Sequence, residues 1–184
     1  EGMVTPLMRS RAKAVNFGIV YGISAFSLAK DIGVLRKDAQ TYIDSYLAHY
    51  AGVREYMRAT IEAAKRDKFV ETIFGRKRYL PEIASSNFNL RSFGERVARN
   101  MPIQGSAADI IKIAMINVSQ KLKERNLTAK LILQVHDELI VEAPEAEALK
   151  VAGLLKAEME GAATLKVPLV AEANIGKTWY DAKQ

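Results

Sequence analysis

Leu131-Ile132-Leu133-Gln134-Val135-His136-Asp137-Glu138-Leu139-Ile140-Val141-Glu142 consists of two apolar runs separated by a short polar break. Aliphatic and β-branched runs of this length on either side of such a break predict two strands joined by a tight turn. Glu145 to Glu160 reads as a helix, and the alternating stretch Val167 to Ile175 predicts a further strand ahead of a Trp179-Tyr180 tail. Strand, turn, strand, helix, strand makes an antiparallel sheet with helices on one face, so the fold class expected is α+β.

Upstream of the hairpin the chain is largely helical. Pro6 and Gly22-Ile23-Ser24 bracket a helix from about Met8 to Tyr21, and Ser24 or Ser27 opens a short one that ends near Gly33. Two more are expected at about Arg36–Tyr50 and Val53–Lys68, where Tyr42, Tyr46 and Tyr50 recur every four residues. The pattern changes at Phe69-Val70-Glu71-Thr72-Ile73-Phe74, a strand that Gly75-Arg76 turns into Arg78-Tyr79-Leu80, with Pro81 as the stop. A helix over Arg91–Arg99 is expected to break at Pro102. Gly105-Ser106 then opens a long helix to about Arg125, with Ser106 and Asp109 as its capping box.

The 184 residues are 49% hydrophobic and 26% charged, the balance of a globular protein rather than a disordered tail. A net charge of +6 favours polyanionic partners. The absence of cysteine excludes a disulfide scaffold and thiolate metal sites, and His49 and His136 are too few for a histidine-built zinc site. No apolar run reaches the roughly 18 residues of a membrane span. No signal-peptide layout is present either, so a cytoplasmic location is expected. Glu1-Gly2-Met3 leads almost directly into a strong helix, and the chain reads as a piece of a longer one.

Two constellations carry chemistry. Arg9, Lys13, Phe17 and Tyr21 are each four apart, so on an α-helix they drift by about 40° per step and share one face. Two cations followed by two rings, with Gly18 and Gly22 beside the rings, suit a nucleotide laid lengthwise, its phosphates on the cations. The plainer alternative is an amphipathic helix with Phe17 and Tyr21 in the core. At the hairpin turn, Asp137 and Glu138 are either a solvated polar tip or hard oxygen donors for Mg2+ fixed on rigid strands. A third group, Lys65, Arg66, Lys68, Arg76, Lys77 and Arg78 with Arg91, Arg96 and Arg99, is either a solvated charged surface or a set of phosphate contacts.

The wording of these stretches is specific. Arg9-x3-Lys13-x2-Asn16-Phe17-Gly18-x2-Tyr21-Gly22 and Gln134-Val135-His136-Asp137-Glu138 resemble motifs B and C of the bacterial DNA polymerase I family, the family A DNA polymerases. Ile103-Gln104-Gly105-Ser106-Ala107-Ala108-Asp109-Ile110-Ile111-Lys112 is also typical, and the resemblance runs from Thr5-Pro6 to Trp179-Tyr180-Asp181-Ala182-Lys183. One departure is Arg9-Ser10, where many relatives carry two adjacent arginines; Arg11 supplies a second charge.

The resemblance implies a helical fingers segment over about 1–85 and the C-terminal half of an antiparallel palm, backed by helices, over 86–184. The whole would be incomplete relative to a polymerase domain. It implies that Arg9 and Lys13 hold the phosphates of an incoming dNTP, that Phe17 contacts its sugar, and that Tyr21 stacks near the templating position. It further implies that Asp137 is a ligand of a two-Mg2+ site, and that Glu138 is a weaker ligand or a neighbouring acid just outside the metals' ligands. Arg96, Asn100, Gln104 and His136 would face the primed DNA template.

The activity implied is template-directed DNA synthesis in replication and repair, in a bacterial nucleoid-associated protein. Lys13, Asp137 and Glu138 would be its catalytic residues in this chain. The family's other metal-binding aspartate belongs to an earlier palm strand that nothing here resembles, so the first palm strand and the thumb are expected partners and the isolated chain is expected to be inactive. The alternative is a non-catalytic DNA- or nucleotide-binding fragment. Phe17 and the Asp137-Glu138 pair argue against the related phage-type RNA polymerases. Asp109 reads as a helix cap rather than a third ligand.

Overall fold

A computed structural model describes residues 3–183, so Glu1 and Gly2 of the opening tripeptide lie outside it. The chain is α+β, with seven α-helices and two two-stranded antiparallel sheets among the described residues. It divides into two compact units that part between Gly105 and Ser106.

In the first unit, α1 (Pro6–Val20) begins where Thr5 Oγ1 accepts from the Met8 N–H at 3.2 Å and Pro6 presets the first turn. α2 (Ala25–Ile32) is capped by Ser24 and closed by Gly33 in the left-handed region. α3 (Arg36–His49) and α4 (Ala51–Asp67) follow with only Tyr50 between them. Leu28, Ile32, Ala25, Ala29 and Ala39 form a small core, against which Ala14, Val15 and Ile23 also pack. Full burial of a side chain such as Leu28 contributes about 2 kcal/mol.

The next strands are shorter than their apolar run. β1 (Phe69–Glu71) pairs with β2 (Lys77–Tyr79), and the chain leaves the ladder at Thr72. Thr72, buried, explains why. Its N–H donates to Arg76 O, its carbonyl accepts from Gly75 N, and its hydroxyl accepts from the N–H groups of Phe74 and Arg76. One side chain therefore closes the turn that β-propensity alone would extend to Phe74.

α5 runs unbroken from Phe88 to Glu124 with Pro102 inside it, which corrects the expected break and restart. Proline can give no N–H to the Ala98 carbonyl, at a cost of about 3 kcal/mol. Here Ala98, fully buried, with Val97 and Met101, packs on Ala64, Val70, Leu80 and Ile83, and this contact offsets the loss. Ser106 and Asp109 are interior to α5, so neither caps a helix as expected.

In the second unit, β3 (Lys130–Val135) and β4 (Glu138–Glu142) form the expected hairpin, with a bulge between Leu131 and Leu133. α6 (Ala148–Glu160) follows a 3-10 turn at Glu145–Glu147. Val118 and Leu122 of α5, Leu139 of β4, and Val151 and Leu154 of α6 make the core. The strand expected over Val167–Ile175 does not form, since no ladder partner reaches it. Instead the Ala171 N–H donates to the Glu160 carboxylate at 3.1 Å. The last helix, α7 (Trp179–Ala182), is a single turn. No helix of the described residues is long and apolar enough to cross a membrane.

Candidate functional site

The core-facing alternative for α1 fails on burial. Arg9, Lys13, Phe17 and Tyr21 are all exposed, Phe17 by 51% and Tyr21 by 42%, while Ile19 is buried and Ala14 and Val15 supply the inward contacts. The two rings lie nearly parallel, with centroids 6.3 Å apart and planes 18° apart. A stripe of two solvated cations and two stacked rings is thus presented outward.

Its setting is fixed on three sides. Tyr46 Oη of α3 donates to Asn16 Oδ1 at 2.6 Å, one residue from Phe17. A Cβ on Gly18 would come within 3.0 Å of Ile23. Gly22, at φ 77°, lies under the Arg99 guanidinium, and a Cβ there would sit 2.4 Å from Arg99 Nη2. Burial pushes the Arg99 guanidinium below its ordinary pKa, against a partial offset from Glu95, with Arg96 adding to the lowering. Arg99 Nε is buried without a hydrogen-bond partner. Sequence reading named Arg99 only as one charge among nine and missed the Tyr46 hydroxyl. Only the recurrence of tyrosine every four residues along α3 signalled it.

Within the same unit, a cleft brings together Tyr21, Arg76, Lys77, Arg78, Arg96, Asn100 and Gln104. Arg96, Asn100 and Gln104 are each four apart on α5 and so share a face. Arg76 is tied to it by its Nη2–H to the Gly105 carbonyl at 3.1 Å. Asn100 Oδ1 is buried with no hydrogen-bond partner. The rest of the basic run separates from this group. Lys65 pairs with Glu95 at 3.1 Å, Arg66 with Asp67 at 2.8 Å, and Lys68 Nζ donates to the Lys65 carbonyl. Arg91 donates to the carbonyls of Ser85 and Ser86. These four have local structural work.

In the second unit the acidic turn sits where β3 passes into β4. Val135 pairs with Glu138, so His136 and Asp137 are the two turn residues. His136 adopts φ 52°, a left-handed conformation that costs a non-glycine residue about 1 kcal/mol or more. The Gln134 side-chain amide donates to the His136 carbonyl at 2.6 Å and holds that conformation. Asp137 is exposed at the tip. Glu138 is engaged: its Oε2 accepts from Trp179 Nε1 at 3.3 Å and lies 3.3 Å from Lys183 Nζ. Among the described residues no three of His, Cys, Asp and Glu gather as a metal cage. Asp137 is an exposed hard oxygen donor, and the described residues do not complete a metal set around it.

A helix bearing an outward Arg-x3-Lys-x3-Phe-x3-Tyr stripe and a strained acidic hairpin are both found in a chain that belongs to DNA polymerase family A, whose model matches residues 1–181. The chain is 57% identical over 98% of its length to DNA polymerase I of Caldicellulosiruptor bescii, and 54% identical over 98% to that of Bacillus subtilis. It spans about a fifth of those relatives (21% and 20% of their lengths). A solved structure of the POL domain of Pol1 from M. smegmatis, in complex with DNA primer-template and dNTP, matches all of the chain and 32% of its own with a TM-score of 0.94 at 43% identity.

Proposed function

We propose that this chain is the nucleotide-holding and part of the metal-holding portion of a template-directed DNA polymerase acting in replication and repair. The observation that carries the reading is the outward stripe of α1: two free cations and two parallel rings, exposed where an ordinary amphipathic helix would bury the rings. Arg9 and Lys13 receive the triphosphate, Phe17 lies against the sugar and Tyr21 near the templating base. Approximate fingers (1–85) and palm (86–184) segments follow from the family pattern.

In the reaction, the primer 3′-oxygen bonds to the α-phosphorus of the dNTP, the bond to the β-phosphate oxygen breaks, and pyrophosphate leaves. Mg2+, when bound, supplies charge neutralisation for the attacking and departing oxygens. Asp137 is this chain's main donor to it. Lys13 opposes the charge that builds on the phosphates. Arg96, Asn100 and Gln104 face the primed template, with Arg76, Lys77 and Arg78 completing their cleft by phosphate contacts that are not base-specific. His136 lies toward the primer end. One exposed aspartate does not hold two dications, so a further carboxylate from the longer protein completes the site, and this chain alone extends primers little or not at all.

The test is equilibrium binding of a dNTP to the chain, with Arg9→Ala and Lys13→Ala. Each loses a charge-assisted contact of about 1.5–3 kcal/mol, so affinity falls by roughly 10-fold or more. Affinity unchanged in both variants contradicts the assignment of the stripe.

A further inference from the structure

The single-turn α7 converts a surface tail into a brace. Gly176 lies so close to the end of α7 that a Cβ would sit 2.6 Å from Ala182 N, so the tail folds back on itself. Thr178 and Asp181 close the turn reciprocally. Thr178 Oγ1 accepts from the Asp181 N–H at 3.3 Å, and Asp181 Oδ2 accepts from the Thr178 N–H at 3.1 Å and its hydroxyl at 2.7 Å. That turn sets Trp179 and Lys183 four residues apart on one side, with the ammonium 4.6 Å from the indole centroid.

Both reach the same atom. The indole N–H donates to Glu138 Oε2 and the Lys183 ammonium lies against that oxygen, each at 3.3 Å. Each contact is half-exposed and by itself contributes little to stability. Their consequence is geometric. Both contacts fall on one carboxylate oxygen, so together they fix where the Glu138 side chain and the start of β4 can sit. Asp137, one residue back at the tip, has no such restraint.

We infer that the tail is a positioning device for the acidic hairpin, with Trp179 and Lys183 as positioning residues. They hold the Glu138 carboxylate, and through it the turn that carries Asp137. The inference rests on the reading of Asp137 given above.

Trp179 is the chain's single tryptophan, so its indole N–H gives one resonance in a 1H–15N spectrum of the 184-residue chain. Glu138→Ala and the shape-conserving Glu138→Gln should both move that resonance and speed its exchange with water severalfold, whereas Asp137→Asn should leave it in place.

An indole resonance that ignores both Glu138 substitutions overturns the brace. In the longer polymerase, Trp179→Phe and Lys183→Gln should lower kcat about 3- to 10-fold at unchanged KM for dNTP, with Lys183→Arg restoring it. A change in KM alone contradicts the inference. The spectrum is independent of primer extension, so loss of the brace and failure of the polymerase reading are separate results.

Discussion

Replacing Gly22 with alanine tests how α1 is seated. Gly22 has φ 77°, where an L-residue pays about 1–2 kcal/mol. Restricting the unfolded chain returns about 0.4–1 kcal/mol of that, leaving a net backbone cost of about 1 kcal/mol. The new Cβ would lie 2.4 Å from Arg99 Nη2 and 2.8 Å from Cζ, so the guanidinium must swing out, at about another 1 kcal/mol of lost packing. Arg99 itself contributes little net stability, because its Nε is buried unpaired and burial opposes its charge. The double-mutant cycle therefore separates the two terms. Gly22→Ala should cost about 2 kcal/mol in the natural background and about 1 kcal/mol beside Arg99→Ala. In urea unfolding followed by circular dichroism, the midpoint should fall in the first case by about twice as much as in the second. Equal costs in both backgrounds refute the contact, and a stabilising Gly22→Ala refutes the backbone argument as well.

Other consequences can be measured on the same chain. Tyr46→Phe removes the 2.6 Å hydrogen bond to Asn16 and should cost about 0.5–1.5 kcal/mol in urea unfolding, with a parallel loss of dNTP affinity; intact affinity would mean that Asn16 needs no support. Leu154→Ala opens a cavity in the core of the second unit and should destabilise by about 3 kcal/mol, a cost absent if that core is loosely packed. Arg78→Ala should flatten the log–log salt dependence of primer-template binding by about one counterion, while Arg66→Ala, whose guanidinium is already spent on Asp67, should leave the slope unchanged.

Much of this molecule is legible because its signals are local. Pro6, Ser24 and Gly33 mark helix ends, and each acts where the sequence places it. The acidic hairpin follows from two apolar runs and a two-residue turn, and the stripe on α1 from a spacing of four. What escaped depends on partners distant in sequence. Pro102 reads as a break until Ala98 is seen buried against Leu80 and Ile83. Val167–Ile175 has a strand's alternation and no strand beside it. Ser106 and Asp109 have the spacing of a capping box inside an uninterrupted helix. The partners of the Glu138 carboxylate lie 41 and 45 positions later, out of reach of a local reading. The Trp179 and Lys183 spacing was the available clue.

Primer extension bears most directly on the proposed division of labour. The chain is assayed on a primed template with dNTPs and Mg2+, alone and mixed with a separately made segment supplying a further palm carboxylate, each with Asp137→Ala as control. Extension in the mixture only, abolished by Asp137→Ala, is the expected result. Extension by the chain alone, or by a mixture carrying Asp137→Ala, would contradict it.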